Sequence, residues 1–260
     1  MTRTALVTGA SGGIGRELAT LFARDGHDVV VVARSEEALI DLGTRLQDEY
    51  GVTVTVVVKD LAEPDSPAEI QSALADRGIE VDVLVNNAGF ATYGRFLDTD
   101  LDRERDELQV NVVAVTELTK RFLPGMVDRG EGRVLNVAST AAFQPGPLMA
   151  VYYASKSYVL SFSEALAAEL DGTGVTVTAL CPGPTDTGFQ SRAEMGAAKL
   201  VQGDLQDPAE VARAGYRGMQ AGEAVVVPGL RNKLLSVAVR LLPRRVVRSM
   251  VKRAQAPTSE

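Results

Sequence analysis

The chain has 260 residues, 45% of them hydrophobic, which is enough to bury the core of one large α/β domain. A formal net charge of −7 at pH 7 argues against nucleic acid as the main partner, because phosphate binding needs a basic face. One cysteine and one histidine exclude a disulfide framework and a metal site rich in these ligands, so we expect no metal.

The single cysteine and the single histidine are expected to be structural. Cys181 ends an apolar segment and should be a small buried hydrophobe, whereas His27 lies in a polar turn and should be solvated. The first apolar segment begins almost at once, and no apolar run approaches about eighteen residues, so we expect neither a signal peptide nor a membrane span. These features predict a cytoplasmic protein.

Seven short apolar segments alternate with helical patterns along the chain, and no Pro/Ser-rich linker divides them. The alternation predicts an α/β fold with one doubly wound parallel sheet and helices on both of its faces. We expect this domain to cover residues 1–229 and a C-terminal extension to cover 230–260. The predicted strands are 4–7, 28–34, 52–58, 81–85, 132–138, 175–180 and 224–227, with a long helix over about 101–126 and a helix that Asp207 caps.

A glycine-rich turn follows the first predicted strand and opens the first helix. Gly9, Gly13 and Gly15 allow the backbone to approach a phosphate, and the helix N-terminus adds free N–H groups and the positive end of its dipole. A purely structural turn is the alternative. The position of the turn within a strand–turn–helix unit favours a dinucleotide cofactor.

The end of the second predicted strand bears on the choice of cofactor. In dinucleotide folds an acid at this point binds the ribose of NAD, whereas an arginine accepts the 2′-phosphate of NADP. Arg34 stands here, and the first acids, Glu36 and Glu37, begin the next helix. The sequence therefore favours NADP over NAD, with a plain surface arginine as the alternative. Asp60, after the third predicted strand, could accept a hydrogen bond from the adenine amino group.

Three asparagines interrupt otherwise apolar segments. Asn86 and Asn87 follow the fourth predicted strand, and we expect Asn86 to tie neighbouring backbones together. Asn111 lies inside an apolar stretch of the long helix, where a buried amide needs partners. It is either a satisfied core residue or one that bends the helix and holds a water close to the site.

Tyr152 and Lys156 are four residues apart in a predicted helix and therefore share one face. An ammonium near a phenol lowers the pKa of the phenol, which would make Tyr152 a proton donor or acceptor nearer neutral pH. Ser139 stands at the carboxyl end of the fifth predicted strand, the edge where open parallel sheets bind ligands. Tyr153 and Tyr158 have no lysine at the corresponding position.

The tail differs in charge from the rest of the chain. Between residues 230 and 253 it has eight basic residues and no acid, so the remaining residues carry about −15. Leu234, Leu235, Ala238, Leu241 and Leu242 fall on one helical stripe, and after Pro243 a second stripe follows with Val246, Val247, Met250 and Val251. The tail is either a helix packed on the domain with a basic outer face or a surface that docks reversibly on an anionic membrane or a lipid-bearing partner.

Together these motifs resemble the short-chain dehydrogenase/reductase family, in its order and spacing over roughly residues 3–228. The family has a single Rossmann-type domain and usually forms dimers or tetramers, so the resemblance implies this fold and a homo-oligomer. The motifs that carry it are Thr8-Gly9-x-x-x-Gly13-Ile14-Gly15, Asp60, Asn86-Asn87-Ala88-Gly89, Asn111, Ser139, Tyr152-x-x-x-Lys156 and Pro182-Gly183-x-x-x-Thr187.

The resemblance implies a catalytic tetrad of Asn111, Ser139, Tyr152 and Lys156. Tyr152 would exchange a proton with the substrate oxygen, and Ser139 would hydrogen-bond that oxygen. Lys156 would lower the pKa of Tyr152 and bind the nicotinamide ribose, and Asn111 would hold a water that relays protons.

The resemblance also implies a set of cofactor contacts. One departure is Gly12, where many NADP-preferring members have a basic residue, so only Arg34 argues for the 2′-phosphate. The implied contacts are Gly9, Ser11, Gly12, Gly13, Ile14 and Gly15 with the pyrophosphate, Arg34 with the 2′-phosphate, Asp60 and Leu61 with adenine, Asn87, Ala88 and Gly89 on the adenosine ribose side, Tyr152 and Lys156 near the nicotinamide, and Pro182, Gly183, Thr185 and Thr187 with the carboxamide.

The segment at about 187–205 is expected to be a substrate lid. Its Phe189, Met195 and Leu200, with Phe90, Phe143 and Met149 on the other wall, suggest an uncharged, apolar carbonyl or alcohol. Arg192 and Lys199 should be solvated, with binding of a carboxylate or an acyl carrier as the alternative. The sequence thus predicts an NADP(H)-dependent oxidoreductase that interconverts such a ketone or aldehyde and its alcohol. The alternative is a catalytically idle nucleotide-binding or scaffold protein that docks through its basic tail.

Overall fold

The computed structural model describes residues 2–193, 195, 203 and 205–256, apart from the side chains of residues 191 and 192. Seven parallel strands form one sheet, which confirms the predicted α/β fold. The strands are rich in valine and mostly buried, as expected for parallel strands covered on both faces. They are β1 (Thr4–Thr8), β2 (Asp28–Ala33), β3 (Val54–Val58), β4 (Val83–Asn86), β5 (Gly132–Val137), β6 (Val175–Leu180) and β7 (Val225–Val226).

The sheet has the order β3-β2-β1-β4-β5-β6-β7. β1 pairs with both β2 and β4, so the chain builds one half of the sheet outward from β1 and then the other half outward from β4. This reversal leaves a crevice at the carboxyl ends of β1 and β4, which is where open α/β sheets bind ligands.

Helices cover both faces of the sheet. Leu18, Phe22 and Met219 belong to the core on one face, and Ile70 and Leu118 belong to the core on the other face. The α-helices are α1 (Gly13–Arg24), α2 (Glu36–Tyr50), α3 (Ser66–Ala75), α4 (Leu101–Leu108), α5 (Val115–Arg129), α6 (Ala150–Glu169), α7 (Phe189–Arg192), α8 (Pro208–Gln220), α9 (Leu230–Leu241) and α10 (Arg244–Gln255). Asp207 caps α8 as predicted, since its side chain accepts a hydrogen bond from the Ala209 N–H.

The predicted long helix is not continuous. α4 and α5 are joined by a π-helical segment, Gln109–Ala114, and the helical run ends at Arg129 rather than near residue 126. Strand ends differ from prediction by one or two residues, because the last residues of an apolar run need not pair with a neighbouring strand.

The structure shows the surroundings of Cys181, His27 and Asn86, for which the sequence predicted structural roles. Cys181 is fully buried, as expected. His27 is only partly solvated: its ring packs edge-on against Phe22 with 5.4 Å between centroids, and partial burial lowers its pKa. The prediction for Asn86 is wrong: its amide donates to side chains, 3.0 Å to Thr119 Oγ1 and 2.9 Å to Asn136 Oδ1, and not to backbone.

The two helices of the tail pack differently on the domain. Val247 and Val251 of α10 are buried against the domain. The stripe on α9 does not pack in this way, since Leu234 is 63% exposed and Leu241 is 83% exposed. Among the described residues, no helix is long and apolar enough to cross a membrane.

Candidate active site

A cavity of about 650 Å³ opens at the carboxyl ends of the strands, in the crevice beside β1 and β4. Every predicted site residue lines it except Gly15 and Asn111. The predicted residues in its wall are Gly9, Ser11, Gly12, Gly13, Ile14, Arg34, Asp60, Leu61, Asn87, Ala88, Gly89, Ser139, Tyr152, Lys156, Pro182, Gly183, Thr185 and Thr187.

The glycine turn has the geometry that a dinucleotide needs. Gly9 and Gly13 have φ values of +65° and +54°, which side-chain-bearing residues rarely adopt. A Cβ on Gly13 would lie 2.7 Å from Thr187 Cβ, so only glycine allows the turn to meet the opposite wall. The N-cap of α1, Gly12, offers no side-chain cap, which leaves the first N–H groups of α1 for an anion. The turn therefore fits a phosphate group.

Asn87 holds this turn against β4. Its amide donates 2.9 Å to the Thr8 carbonyl and 3.3 Å to the Gly9 carbonyl, the backbone-tying role that was predicted for its neighbour. Gly15 lies behind the turn, where a Cβ would come within 2.4 Å of both Asn87 Nδ2 and the Gly9 carbonyl oxygen. Gly15 is therefore needed for close packing of α1 and not for lining the cavity.

Arg34 and Asp60 meet at the outer end of the cavity. Arg34 Nη1 lies 3.4 Å from Asp60 Oδ2, and the Arg34 side chain is 70% exposed. An exposed ion pair of this kind contributes about 0–1 kcal/mol to stability. The Arg34 guanidinium can therefore leave Asp60 to bind an anion. The other Asp60 oxygen accepts a hydrogen bond from the Ala62 N–H at 3.0 Å.

Ser139 follows β5 and begins a short 3₁₀ helix, Thr140–Phe143. Its oxygen accepts a 3.1 Å hydrogen bond from the Ala141 N–H, and its hydroxyl reaches the Pro182 carbonyl only at 3.5 Å. A donor held this weakly can turn toward another acceptor, and Ser139 also hydrogen-bonds with the Tyr152 side chain.

Tyr152 and Lys156 project from one face of α6 into the cavity, as their spacing predicts. Lys156 Nζ lies 5.7 Å from the centre of the Tyr152 ring and donates 2.9 Å to the Val137 carbonyl. Burial raises the pKa of Tyr152 above its ordinary value, and the hydrogen bond with Ser139 only partly offsets this. The expectation that Lys156 makes this phenol acidic is therefore wrong for this structure. Burial lowers the pKa of Lys156 to about 8, against the opposing effect of Glu107.

Asn111 is completely buried in the π-helical segment and is satisfied by protein groups. Its amide donates 2.9 Å to the Phe90 carbonyl and 3.1 Å to Ser155 Oγ, and its oxygen accepts from the Phe90 N–H at 3.2 Å. It lies beside the site, since a Cβ on Gly89 would be 2.9 Å from Asn111 Oδ1 and 3.3 Å from Lys156 Nζ. The structure thus supports the core role, and a relay water at Asn111 stays a prediction.

Glu107 is a buried acid that sequence reasoning missed. It is 0% exposed, and its Oε2 accepts a 2.7 Å hydrogen bond from the Thr92 N–H, while no described residue bonds to its Oε1. Burial raises the pKa of Glu107 to about 7, and the Thr92 hydrogen bonds and Lys156 oppose the rise. Its position four residues before Asn111, on the same helical face, was the available signal.

The inner end of the cavity is mostly apolar. Phe90, Met149, Phe189 and Met195 line it, as predicted. The prediction for Phe143 is wrong: it lies outside the cavity wall, with the Arg240 guanidinium 5.3 Å above its ring. The tail was not expected here, yet its last helix lines the same cavity with Val251, Ala254 and Gln255. The predictions for Lys199, Leu200 and the side chain of Arg192 lie outside the described residues.

Comparisons with known proteins agree with this arrangement. A family model described as short chain dehydrogenase matches residues 3–198. A very-long-chain 3-oxoacyl-CoA reductase of Anas platyrhynchos is 38% identical over 183 residues, which are 68% of this chain and 58% of the relative, so this chain spans less than two thirds of that relative's length.

Two solved structures are similar over almost the whole chain. A short-chain dehydrogenase from Sphingobium yanoikuyae in complex with NADPH is 34% identical, with a TM-score of 0.82 and 98% of each chain covered. A bulky-bulky ketone specific alcohol dehydrogenase from Comamonas testosteroni is 31% identical, with a TM-score of 0.77, 92% of this chain and 93% of that chain covered. With the fold, the cavity and the family match in agreement, the chain belongs to the short-chain dehydrogenase family of oxidoreductases.

Proposed function

We propose that this protein interconverts an apolar ketone or aldehyde and its alcohol, with NADP(H) as the preferred cofactor. The observation that carries the proposal is that Ser139, Tyr152 and Lys156 line the same cavity as the glycine turn. A proton donor, a hydrogen-bond donor and a cation therefore stand together beside a site shaped for a dinucleotide. When bound, the nicotinamide supplies or accepts the hydride.

Tyr152 moves the proton in this proposal. Its hydroxyl gives a proton to the substrate oxygen as a carbonyl is reduced, or takes one as an alcohol is oxidised. The raised pKa of Tyr152 keeps the phenol protonated at neutral pH, which suits the reduction direction. Ser139 orients the substrate oxygen with its weakly held hydroxyl.

Lys156 supplies positive charge behind the phenol. With its pKa lowered only to about 8, the ammonium is mostly charged at neutral pH. One of its N–H groups is used by the Val137 carbonyl, and the others are available to ribose hydroxyls. The negative charge that develops on Tyr152 when it gives up its proton is thus placed beside a cation.

The preference for NADP rests on Arg34. It lies at the end of β2 and lines the cavity, and within the described part of the chain its one ion pair is the long contact with Asp60. An arginine at this point is suited to a 2′-phosphate. The NADPH in the Sphingobium yanoikuyae structure supports the proposal.

An apolar substrate is proposed because the inner wall is built from aromatic rings and methionines. Phe189 packs against Tyr152 with 5.3 Å between ring centroids, so apolar surface reaches the reacting oxygen. Relatives named for 3-oxoacyl-CoA and for bulky ketones support a carbonyl substrate with a large apolar part.

Substitution of Tyr152 tests the proposal. Tyr152→Phe should lower the rate of NADPH-dependent reduction of apolar ketones by at least about a hundredfold, because the proton donor is lost. Affinity for NADPH, measured by calorimetry, should stay within about twofold of the wild type. Tyr158→Phe on the same helix is the matched control, since Tyr158 is outside the cavity wall.

A near-normal rate for Tyr152→Phe would contradict the assigned role. If the wild type bound NADPH tightly but turned over no ketone or aldehyde in a broad panel, the idle nucleotide-binding alternative would be favoured.

For the tail we propose reversible contact with an anionic membrane. Exposed leucines on α9 stand among arginines and lysines with no acid nearby in sequence, a combination suited to anionic lipid headgroups. The double variant Leu234→Ser/Leu241→Ser should lose flotation with phosphatidylglycerol vesicles, whereas Ile40→Ser, an exposed residue of α2, should keep it. Wild-type protein that fails to float with these vesicles would end this proposal.

A further inference from the structure

The last helix of the described chain closes the inner end of the cavity. In α10, Val247 and Val251 are buried in one apolar cluster with Met149, Tyr153 and Met195. Val251 and Gln255 then line the same cavity as Tyr152. A bound substrate would therefore touch α10 as well as the Rossmann-type domain.

Gln255 is held at this position by three contacts. Its Nε2 donates 2.7 Å to Tyr153 Oη and 3.3 Å to Met149 Sδ, and its backbone carbonyl accepts a 2.6 Å hydrogen bond from Tyr93 Oη. These partners lie after β4, directly before α6 and within α6, so the residue is fixed from separate parts of the domain. Gln255 is 0% exposed.

The orientation of the carboxamide follows from one of these contacts. A thioether sulfur accepts a weak hydrogen bond but cannot donate one. The atom of Gln255 that faces Met149 is therefore the nitrogen, and Oε1 lies on the side of the carboxamide that is turned away from Met149. No described residue donates to this buried oxygen.

A buried acceptor without a partner is unfavourable, and a donor brought by a ligand would satisfy it. The apolar cluster beside Gln255 contributes Ala141, Met149, Met195 and Val251 to the cavity wall, which Thr140, Gln144 and Gln190 also line. A ligand suited to this cluster is largely apolar and carries a hydrogen-bond donor that meets Oε1.

We propose that Gln255 is a specificity-determining residue that accepts a hydrogen bond from a hydroxyl or amide N–H on an otherwise apolar ketone or alcohol substrate. The proposal rests on the proposed function and adds to it a second polar group, remote from the reacting oxygen. It also gives α10 a direct role in choosing the substrate.

The test uses methyl ketones of equal chain length that carry no substituent, a hydroxyl or a methyl ether at successive positions. The ratio of kcat/KM for a hydroxylated ketone to that for the unsubstituted ketone is the measurement. For at least one position the wild-type ratio should be about tenfold or more, and the ether, which only accepts hydrogen bonds, should show no such gain. Gln255→Met, of similar shape, should bring the ratio close to one. Gln47→Met, at an exposed position of α2, should leave it unchanged.

A wild-type ratio near one at every position would overturn the proposal without reference to any variant. A preference for the ether would overturn it as well, because the wall would then present a donor. An unchanged ratio in Gln255→Met would assign the preference to another residue. Turnover of the unsubstituted ketone tells the two failures apart. If only the role of Gln255 is wrong, this ketone is still reduced; if the proposed function is wrong, no ketone is turned over.

Discussion

Glu107 allows a quantitative test of the environment behind Lys156. The change is Glu107→Gln, which keeps an oxygen for the Thr92 N–H but cannot ionise. The pKa of Glu107 is raised from 4.5 to about 7 by burial, with a smaller contribution from Glu104 and opposition from Thr92 and Lys156. A difference of this size corresponds to roughly 3 kcal/mol between the two protonation states.

The sign follows from the direction of the shift. Because the pKa of the folded state lies above that of the unfolded state, the stabilising contribution of protonated Glu107 is fully present below about pH 4.5 and is lost as the pH rises through about 7. A glutamine at this position does not ionise, so its contribution to stability does not change over this pH range. The free energy of unfolding of Glu107→Gln should therefore increase relative to the wild type by about 1.4 kcal/mol per pH unit and level off near 3 kcal/mol above about pH 7.

Urea unfolding at a series of pH values measures this difference. The chain has no tryptophan, so far-UV circular dichroism is the suitable signal. Glu223→Gln, at an exposed position, is the control and should differ from the wild type by the same small amount at every pH. Parallel curves for Glu107→Gln and the wild type would refute the reasoning, and so would a variant that becomes less stable as the pH rises.

Three further predictions concern the cofactor and the proton donor. Arg34→Ala should raise the Kd for NADPH by about tenfold or more and leave that for NADH nearly unchanged in calorimetry, because only the 2′-phosphate is lost as a partner; equal losses would remove this role. Gly15→Ala should lower the free energy of unfolding by about 1–3 kcal/mol in urea titrations, because the new Cβ would lie 2.4 Å from the Gly9 carbonyl oxygen. Gly12→Ala is the control and should leave it unchanged, because a Cβ there meets nothing within 4 Å. Because burial raises the pKa of Tyr152, the rate of alcohol oxidation should keep increasing between about pH 6 and pH 8 while the rate of ketone reduction stays level. A reduction rate that falls with a midpoint near pH 7 would contradict this.

The fold and most of the cavity wall follow from local patterns. Strands such as β2 are runs of buried valine, and the glycines that line the cavity are required by backbone geometry that can be inferred from spacing. Tyr152 and Lys156 share a face because an α-helix repeats every 3.6 residues. Such features depend on a few neighbouring residues and are therefore visible in a single sequence.

Features set by distant contacts were missed or wrong. The pKa of Tyr152 depends on how deeply the folded cavity buries the phenol, which the four-residue spacing to Lys156 does not reveal. The apolar stripe on α9 shows amphipathicity but not which side of the helix meets the domain. The same holds for Gln255, whose contacts with Tyr93 and Tyr153 join parts of the chain more than a hundred residues apart.

The cavity has a consequence for the order in which the protein becomes competent during synthesis. The glycine turn lies near the beginning of the chain, and the wall at the other end of the same cavity is supplied by α10. Translation therefore delivers the nucleotide half of the site long before residue 255 leaves the ribosome. The wall that we propose to select the substrate is thus the last part of the cavity to be synthesised.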